Sequence, residues 1–216
     1  MLRSKGVDIG DRPQDIEASE HAFTSTLGGK AALDDAGVRS LLGVSGDTQV
    51  RARVIAKPPN GVEIQSSLKD AKGNHLALLN RSYTRDANGL TVHHDYLVLD
   101  DAQKGKGLGG SLIRNQLEQY EKLGVSKIEM TAAWDGRYVW PKMGFEVEDH
   151  EKPLLKRRWA SFQKRKGLPP TAINGVQDIV NHPEGKAFLL GKRAPMLQLT
   201  ATPAQLKAKL NAKRKA

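Results

Sequence analysis

The 216-residue sequence contains no cysteine, and this absence excludes disulfide bonds, thiolate metal sites and a cysteine nucleophile. It has no apolar run approaching the roughly 20 residues that a membrane-spanning helix needs. The N-terminal stretch MLRSKGVDIGDRPQD also lacks the apolar core of a secretory signal. A hydrophobic content of 38% and a charged content of 27% suit a soluble protein. We therefore expect a cytoplasmic protein with one main domain and an appendage.

Acidic residues are scarce in the C-terminal third of the chain. Residues 152–216 hold 15 Lys/Arg and 2 Asp/Glu, whereas residues 1–151 hold 19 Lys/Arg and 22 Asp/Glu. A basic segment of this kind attracts nucleic acid or another polyanion, although a solvated tail has the same composition. The segment thus predicts a contact between residues 152–216 and nucleic acid or an acidic partner, and no contact with a membrane.

The first half of the chain changes from helical to strand patterns. Residues 1–20 are polar and aperiodic and predict an arm, and residues 21–43 predict one or two short helices. Four runs rich in β-formers follow, separated by the turn sequences PPNG, AKGN and DANG. Short runs joined by such turns are typical of antiparallel hairpins.

The second half begins with the stretch DDAQKGKGLGGSLIRN, residues 100–115. A helix with an apolar face follows and ends at Gly124, then come the strand VSKIEMTAA, a short helix and the strand FEVED. Pro141 is expected to break or kink that short helix. The sequence predicts three segments: an arm at 1–25, a domain at 26–151 and a basic extension at 152–216, whose last residues favour a terminal helix.

The glycine-rich loop favours a phosphate ligand. Glycines let consecutive amides face one point, and the helix that starts near Gly109 adds its positive end. Lys104 and Lys106 add charge. The sequence GKGLGG also satisfies the dinucleotide fingerprint G-x-G-x-x-G, with Glu129 near the end of the next strand. However, that fingerprint normally opens a series of βα units, whereas antiparallel hairpins precede it here. A merely flexible loop is the third reading.

The loop, the order of the elements and the sequence WPKMGF together resemble the GCN5-related N-acetyltransferase (GNAT) family over roughly residues 30–150. In that family the fourth strand is followed by Arg/Gln-x-x-Gly-x-Gly/Ala, which aligns with Lys104 to Gly109. The resemblance implies an α/β (α+β) fold with a mixed, mostly antiparallel sheet. This sheet would be splayed between its fourth and fifth strands and flanked by helices, with the basic extension appended.

The resemblance also implies a ligand, acetyl-coenzyme A. The amides of the loop would hold its pyrophosphate, and main-chain groups near the end of the fourth strand would bind its pantetheine arm. The residues expected to bind the cofactor are Leu97, Val98, Leu99, Lys104, Gly105, Lys106, Gly107, Leu108, Gly109 and Gly110.

The catalytic residues of the family are matched less well. In many members the Tyr of Y-x-K-x-G-F protonates the departing thiolate, but Trp140 stands at that position. The Asn often found near the end of the fifth strand is missing from TAAWDGR. Tyr138 is a substitute only if the helix around Pro141 is irregular, because two residues span roughly 200° of a helix. Packing is the alternative role for Tyr138.

His93 and His94 lie on opposite faces of the fourth strand, so one of them is expected to face the substrate cleft. Imidazole titrates near neutral pH and suits the deprotonation of an ammonium group. Asp95 shares a face with His93, and Glu129 is a further candidate base. Adjacent residues on opposite faces do not converge on one ion, so we expect no metal site.

The resemblance implies an acetyl-coenzyme A-dependent N-acetyltransferase that acts on an amine. A protein lysine or N-terminus, a small amine and a tRNA-linked amine all remain possible acceptors. The missing Tyr and Asn support an alternative: a catalytically degenerate binding or structural module whose basic C-terminal segment contacts nucleic acid or an acidic partner.

Overall fold

The computed structural model describes residues 7–8, 13–28, 34–44 and 46–215. The chain divides into two compact units, Met1–Ile128 and Glu129–Ala216. Within the described residues, no helix combines the length and the apolar character needed to cross a bilayer.

The first unit opens with a short strand and two helices, β1 (Val7–Asp8), α1 (Pro13–Leu27) and α2 (Asp35–Leu41). On α1, Phe23 and Leu27 are buried, and Ser19 Oγ donates to the Val54 carbonyl at 3.0 Å. The Asp34 carboxylate caps α2 by accepting the Gly37 amide at 2.7 Å, the usual role of Asp at this position. The predicted short helices are present, and α1 extends back into residues expected to form an arm. The rest of that arm includes residues 1–6 and 9–12, which lie outside the described residues.

An antiparallel meander forms the sheet of this unit: β2 (Gln49–Lys57), β3 (Gly61–Lys69), β4 (His75–Asp86) and β5 (Gly89–Leu99). The short strand β1 pairs with β2 in parallel. Burial alternates over part of β2 and of β5, with Ala52 and Val54 buried on β2 and Leu90 and Val92 on β5, whereas the first four residues of β3 are all buried. The hairpins predicted from the turn sequences are therefore confirmed. Because β1 adds a strand, the predicted fourth and fifth strands are β5 and β6.

A β-bulge interrupts the pairing of β4 with β5. Asn80 is opposite Tyr96 and Arg81 is opposite His94, so Asp95 is an extra residue on β5. A bulge shifts the alternation of faces by one residue. As a result His94, Leu97 and Leu99 all lie towards α3, although their sequence separation would place His94 and Leu97 on opposite faces.

A single crossover helix, α3 (Leu108–Leu123), connects β5 to β6 (Val125–Ala132). It ends at Gly124, whose φ of 69° confirms the predicted left-handed cap. Ser126 Oγ donates to the Leu90 carbonyl at 3.2 Å, so the two strands begin side by side and run parallel. An antiparallel meander with a parallel neighbour at each edge, β1 and β6, differs from the series of βα units of a dinucleotide-binding fold.

The second unit contains the end of β6 and five helices, with strand order β6–β8–β7. A hydrogen bond from Thr131 Oγ1 to Gln198 Oε1 of 2.9 Å links β6 to β8, and β7 pairs antiparallel with β8. The elements are α4 (Gly136–Met143), β7 (Glu146–Val147), α5 (Lys152–Lys166), α6 (Val176–Asn181), α7 (Gly185–Leu190), β8 (Leu197–Ala201) and α8 (Pro203–Lys215).

Trp159 is the centre of the aromatic core of this unit. Its ring stacks on Phe162 at 5.5 Å and meets the edges of Phe188 and His182 at 5.2 and 4.9 Å between centroids. Gln177 Nε2 donates to the carbonyls of Pro141 and Phe145, both at 2.8 Å. These contacts join residues on both sides of position 151.

Two local predictions differ from the structure. The helix α4 continues through Pro141 to Met143, so of the predicted break or kink the break is absent. The strand predicted from FEVED is only the pair Glu146–Val147. Residues 152–216 supply a strand and four helices to the second unit, which begins at Glu129. The terminal helix α8 is present as predicted. The α/β class, with a mostly antiparallel sheet flanked by helices, is confirmed.

Candidate functional site

The glycine loop lies between β5 and α3, as its sequence predicts. Asp100 accepts the Ala102 amide at 2.9 Å and caps a 3₁₀ turn, Asp101–Gln103. Gly105 and Gly107 then take φ values of 76° and 82°, in the left-handed region. Apart from the glycine itself and its two chain neighbours, no described atom lies within 4 Å of a Cβ built on either residue. Glycine is therefore favoured at these two positions by the left-handed backbone conformation and not by a lack of space for a side chain.

The N-terminus of α3 has no side-chain cap. Gly107 occupies the N-cap position, and the first intrahelical bond runs from the Ser111 amide to the Gly107 carbonyl at 3.1 Å. The amides of Leu108, Gly109 and Gly110 come before that bond, so they have no carbonyl one turn earlier in the helix. Together with the positive end of the helix dipole, these amides suit phosphate oxygens.

Two lysines flank this helix start in different settings. Lys104 Nζ lies 2.6 Å from Asp101 Oδ1, and this hydrogen bond lowers the pKa of the Asp101 carboxyl. Both side chains are largely exposed, so the pair contributes little to stability. The side chain of Lys106 is exposed. Of the two lysines predicted to bind phosphate, Lys104 is therefore paired with the Asp101 carboxylate.

The end of β5 packs against the same loop. A Cβ on the buried Gly109 would lie 3.5 Å from Leu99 Cδ1 and 3.9 Å from Leu97 Cδ2. On the opposite face, Val98 is 54% exposed and lies across from Leu78, which is 43% exposed. The structure thus brings Leu97 and Leu99 against the glycine loop, whereas the Val98 side chain lies on the other face of the strand.

His94 is in the interior of the first unit. It is 3% exposed, and its Nε2 is hydrogen-bonded to Tyr120 Oη at 3.0 Å. Burial, together with the charge of Arg81, lowers the pKa of His94 well below its usual range. The imidazole is therefore neutral at physiological pH and is closed off from solvent.

His93 lies on the other face of β5 and is 37% exposed. Its Nδ1 is 2.9 Å from Asp95 Oδ1, and Ser82 Oγ donates to Asp95 Oδ2 at 2.9 Å. Burial alone would raise the pKa of the Asp95 carboxyl, but the hydrogen bonds from His93 and Ser82 outweigh that effect and lower it. The carboxylate at the bulge thus orients the accessible imidazole of the pair.

Glu129 and Tyr138 belong to the second unit. Glu129 is half-buried on β6. The Tyr138 ring has Lys142 Nζ at 5.5 Å and Lys186 Nζ at 5.9 Å from its centroid, and Trp140 meets Phe145 edge to face at 5.7 Å. Because α4 is helical through Pro141, Tyr138 points about 200° away from Trp140. A catalytic role for either Glu129 or Tyr138 stays a prediction.

Two residues near His94 were not singled out from the sequence. Arg81 is 2% exposed, and its Nη1 donates to the carbonyls of Asn80 and Tyr96 at 2.8 and 2.7 Å. Tyr120 lies on the buried, apolar face of α3. The signal for Arg81 was present, since it follows Leu79 and precedes Tyr83 at spacings of two on the buried face of a strand. An inward-facing arginine in such a pattern predicts a buried polar cluster.

No protein-family model and no curated protein matches this chain. Similar solved structures include the spermidine/spermine N-acetyltransferase SpeG of Vibrio cholerae, at 15% identity and a TM-score of 0.40 over 68% of this chain and 70% of that one. Naa50 of Arabidopsis thaliana, bound to a coenzyme A bisubstrate analogue, has 14% identity and a TM-score of 0.35 over 65% and 82%. A GNAT-family acetyltransferase of Staphylococcus aureus has 14% identity and a TM-score of 0.33 over 42% and 57%.

The fold resembles that of GNAT acetyltransferases. For a mutant form of SpeG, the matched region spans 66% of the SpeG chain. At these identities the likeness concerns the fold of part of the chain and not its chemistry.

Proposed function

We propose that this protein is an acetyl-coenzyme A-dependent N-acetyltransferase that transfers an acetyl group to an amine. The observation that carries the proposal is the loop at the start of α3, where left-handed Gly105 and Gly107 precede an uncapped helix end. Such a loop fits a pyrophosphate, because its amides lack acceptors within the helix and its glycines leave open space. Bound acetyl-coenzyme A supplies an activated thioester; the chain supplies the binding groups.

The amides of Gly107, Leu108, Gly109 and Gly110 would hold the pyrophosphate, and Lys104 and Lys106 would add positive charge. Main-chain groups of Leu97 to Leu99 would hold the pantetheine arm, since these residues end β5 next to the loop. The packing of Leu97 and Leu99 against Gly109 fixes the end of the strand relative to the helix start.

His93 is our proposed general base, and His94 our proposed positioning residue. The partly exposed imidazole of His93 is bonded through Nδ1 to Asp95, so Nε2 would accept the proton from the acceptor ammonium group. The Asp95 carboxylate would stabilise the resulting imidazolium. His94 is buried and neutral and would hold α3 against β5 through Tyr120.

The acceptor is an amine whose class stays a prediction: a protein lysine or N-terminus, a small amine or a tRNA-linked amine. Residues 1–151, which carry a small net negative charge, favour none of these. A cytoplasmic location, proposed from composition, is equally compatible with each of them.

Isothermal titration of the full chain with coenzyme A tests the proposal. Gly107→Ala should weaken binding by about ten-fold or more, because a Cβ at positive φ shifts the amides of the loop. Gly73→Ala is a matched control, since Gly73 has a φ of 85° and equally open surroundings but lies in the turn between β3 and β4. Its coenzyme affinity should equal that of the wild type. Absence of coenzyme binding by the wild type would refute the proposal.

The alternative is a degenerate coenzyme-binding or structural module, supported by Trp140 in place of the family's Tyr and by the missing Asn. The basic C-terminal segment would then contact nucleic acid or an acidic partner. A protein that binds coenzyme A but leaves every amine in a panel of peptides, polyamines and aminoacyl-tRNA unmodified would favour this alternative. Loss of turnover in His93→Gln, with coenzyme affinity unchanged, would favour the enzyme.

A further inference from the structure

A cavity with a basic rim lies in the second unit, among α5, α7 and the turn after α7. It has a volume of about 370 Å³. Phe162, Phe188, Ala187, Gly191 and Ala194 supply its apolar lining, and four cations supply the rest: Arg165, Lys166, Lys192 and Arg193. No acidic side chain lines it, so the cavity combines an apolar floor with a positive rim.

The four rim cations are exposed, and only some of them form ion pairs with acidic side chains. Lys166 Nζ lies 3.8 Å from Glu184 Oε2. Among the described residues, no ion pair involves Arg165, Lys192 or Arg193. Cations in the last turn of α5 also complement the helix dipole. That explanation does not extend to Lys192 and Arg193, which follow α7 in a turn.

The positive surface continues beyond the cavity along α5. Arg158, Phe162 and Arg165 are spaced by four and three residues and so share one face of the helix. Over its whole length α5 contains Lys152, Lys156, Arg157, Arg158, Lys164, Arg165 and Lys166 and no acidic residue. On the face shared with the cavity, Arg158 and Arg165 lie seven residues apart, which is about 10 Å along the helix. The ligand that matches it is a polyanion longer than a single phosphate group.

We infer that this surface binds single-stranded nucleic acid, with phosphates on the rim cations and on Arg158 and one unstacked base in the cavity. An apolar cavity does not suit polyphosphate, because charged phosphate groups would have to be desolvated there. A nucleobase is planar and weakly hydrated on its faces, and single strands present bases that a duplex keeps stacked. This inference is independent of the proposed acetyltransferase activity.

Fluorescence anisotropy of the full chain with labelled oligouridylate, oligothymidylate and a duplex of equal length tests the inference. Single strands should bind more tightly than the duplex, and their affinity should fall as salt rises from about 50 to 200 mM, with a log–log slope of about −0.7 for each phosphate contact. The RNA and DNA arms show which backbone is preferred. Duplex binding as tight as single-strand binding would overturn the inference.

Two variants separate the rim from the cavity. Lys192→Glu/Arg193→Glu should lower the affinity at least about ten-fold and make the salt slope shallower by about 1.4, the value for two phosphate contacts. Lys69→Glu/Lys72→Glu, on the exposed hairpin between β3 and β4, changes the net charge equally and should leave the slope unchanged. Equal effects of the two double variants would show that only net charge attracts the oligonucleotide, against the inference.

Ala187→Leu fills the cavity from an exposed helix position without changing charge. It should weaken single-strand binding about three-fold or more by excluding a base, with the salt slope unaltered. Circular dichroism melting checks that each variant is folded, and Ala194→Leu is the second cavity-filling variant. Unchanged affinity in both folded cavity variants, or tighter binding of poly-glutamate than of oligouridylate, would contradict the inference.

Discussion

Arg81 shows how one buried side chain fixes the course of a neighbouring strand. Its guanidinium bonds the carbonyls of Asn80 and Tyr96, on the two strands that meet at the bulge. Arg81→Ala should lower the free energy of unfolding by about 2–4 kcal/mol, because it leaves a cavity and two carbonyls without their donor.

Urea denaturation measures this loss. Arg53→Ala on the exposed face of β2 is the control and should change the free energy of unfolding by no more than about 0.5 kcal/mol. Equal midpoints for the two variants would show that Arg81 does not support the bulge.

His94 should make the stability of the protein depend on pH below neutrality. Its pKa is lowered in the folded state by burial and by the charge of Arg81, so the unfolded state binds the proton more tightly. The contribution of neutral His94 to the free energy of unfolding is therefore fully present above the unfolded pKa of about 6.5. It declines as pH falls below that value, by up to about 1.4 kcal/mol per pH unit.

Urea midpoints measured between about pH 5 and 7 test this dependence, since unfolded carboxyl groups titrate mainly below that range. His94→Gln should flatten the slope whatever its effect on absolute stability. If His94→Gln keeps the wild-type change of urea midpoint with pH, another titratable group causes the pH dependence of stability.

Among the elements, α6 depends on a carboxylate supplied by β7. Glu146 Oε1 accepts the amides of Val176 and Val147 at 2.7 and 2.8 Å. Glu146→Ala should destabilise the second unit by about 1–3 kcal/mol, because buried amides lose a charged acceptor.

Hydrogen exchange of residues 174–181 gives the local readout for this change. Asp149→Ala removes a 95% exposed carboxylate that pairs with Lys152 at 2.7 Å, and such surface pairs contribute at most about 1 kcal/mol. If exchange of α6 is equally slow in both variants, Glu146 is not the cap that holds this helix.

At the scale of the whole molecule, the basic C-terminal segment is part of a folded unit. Val147 pairs with Leu199, and Gln177 bonds the carbonyls of Pro141 and Phe145. A truncation after residue 151 should therefore unfold residues 129–151 as well, because their sheet and hydrogen-bond partners are removed.

Limited proteolysis checks this expectation. Cleavage should become rapid at the peptide bonds around Met143 and Val147 in the truncated protein, while the full chain resists. A truncated protein that stays protected there would show that residues 129–151 fold independently of the segment that follows them.

The sequence by itself determined the elements whose signals are local. Turn glycines and asparagines specify the hairpins β2–β5, and Gly124 ends α3 because few other residues adopt its φ of 69°. The glycine loop could be located for the same reason: the position of Gly105 and Gly107 between a strand and a helix requires no long-range contact.

Only the tertiary structure decided which groups face which neighbours. The bulge at Asp95 reverses the alternation of β5 after His94, so the faces taken by Leu97, Val98 and Leu99 depend on pairing with β4. Likewise, the two-residue strand β7 is specified by its antiparallel pairing with β8, because the backbone groups of each strand bond those of the other. Pairing between distant segments cannot be predicted from local composition. For that reason the composition of residues 152–216 is the same as that of a solvated tail, although residues 152–215 are folded.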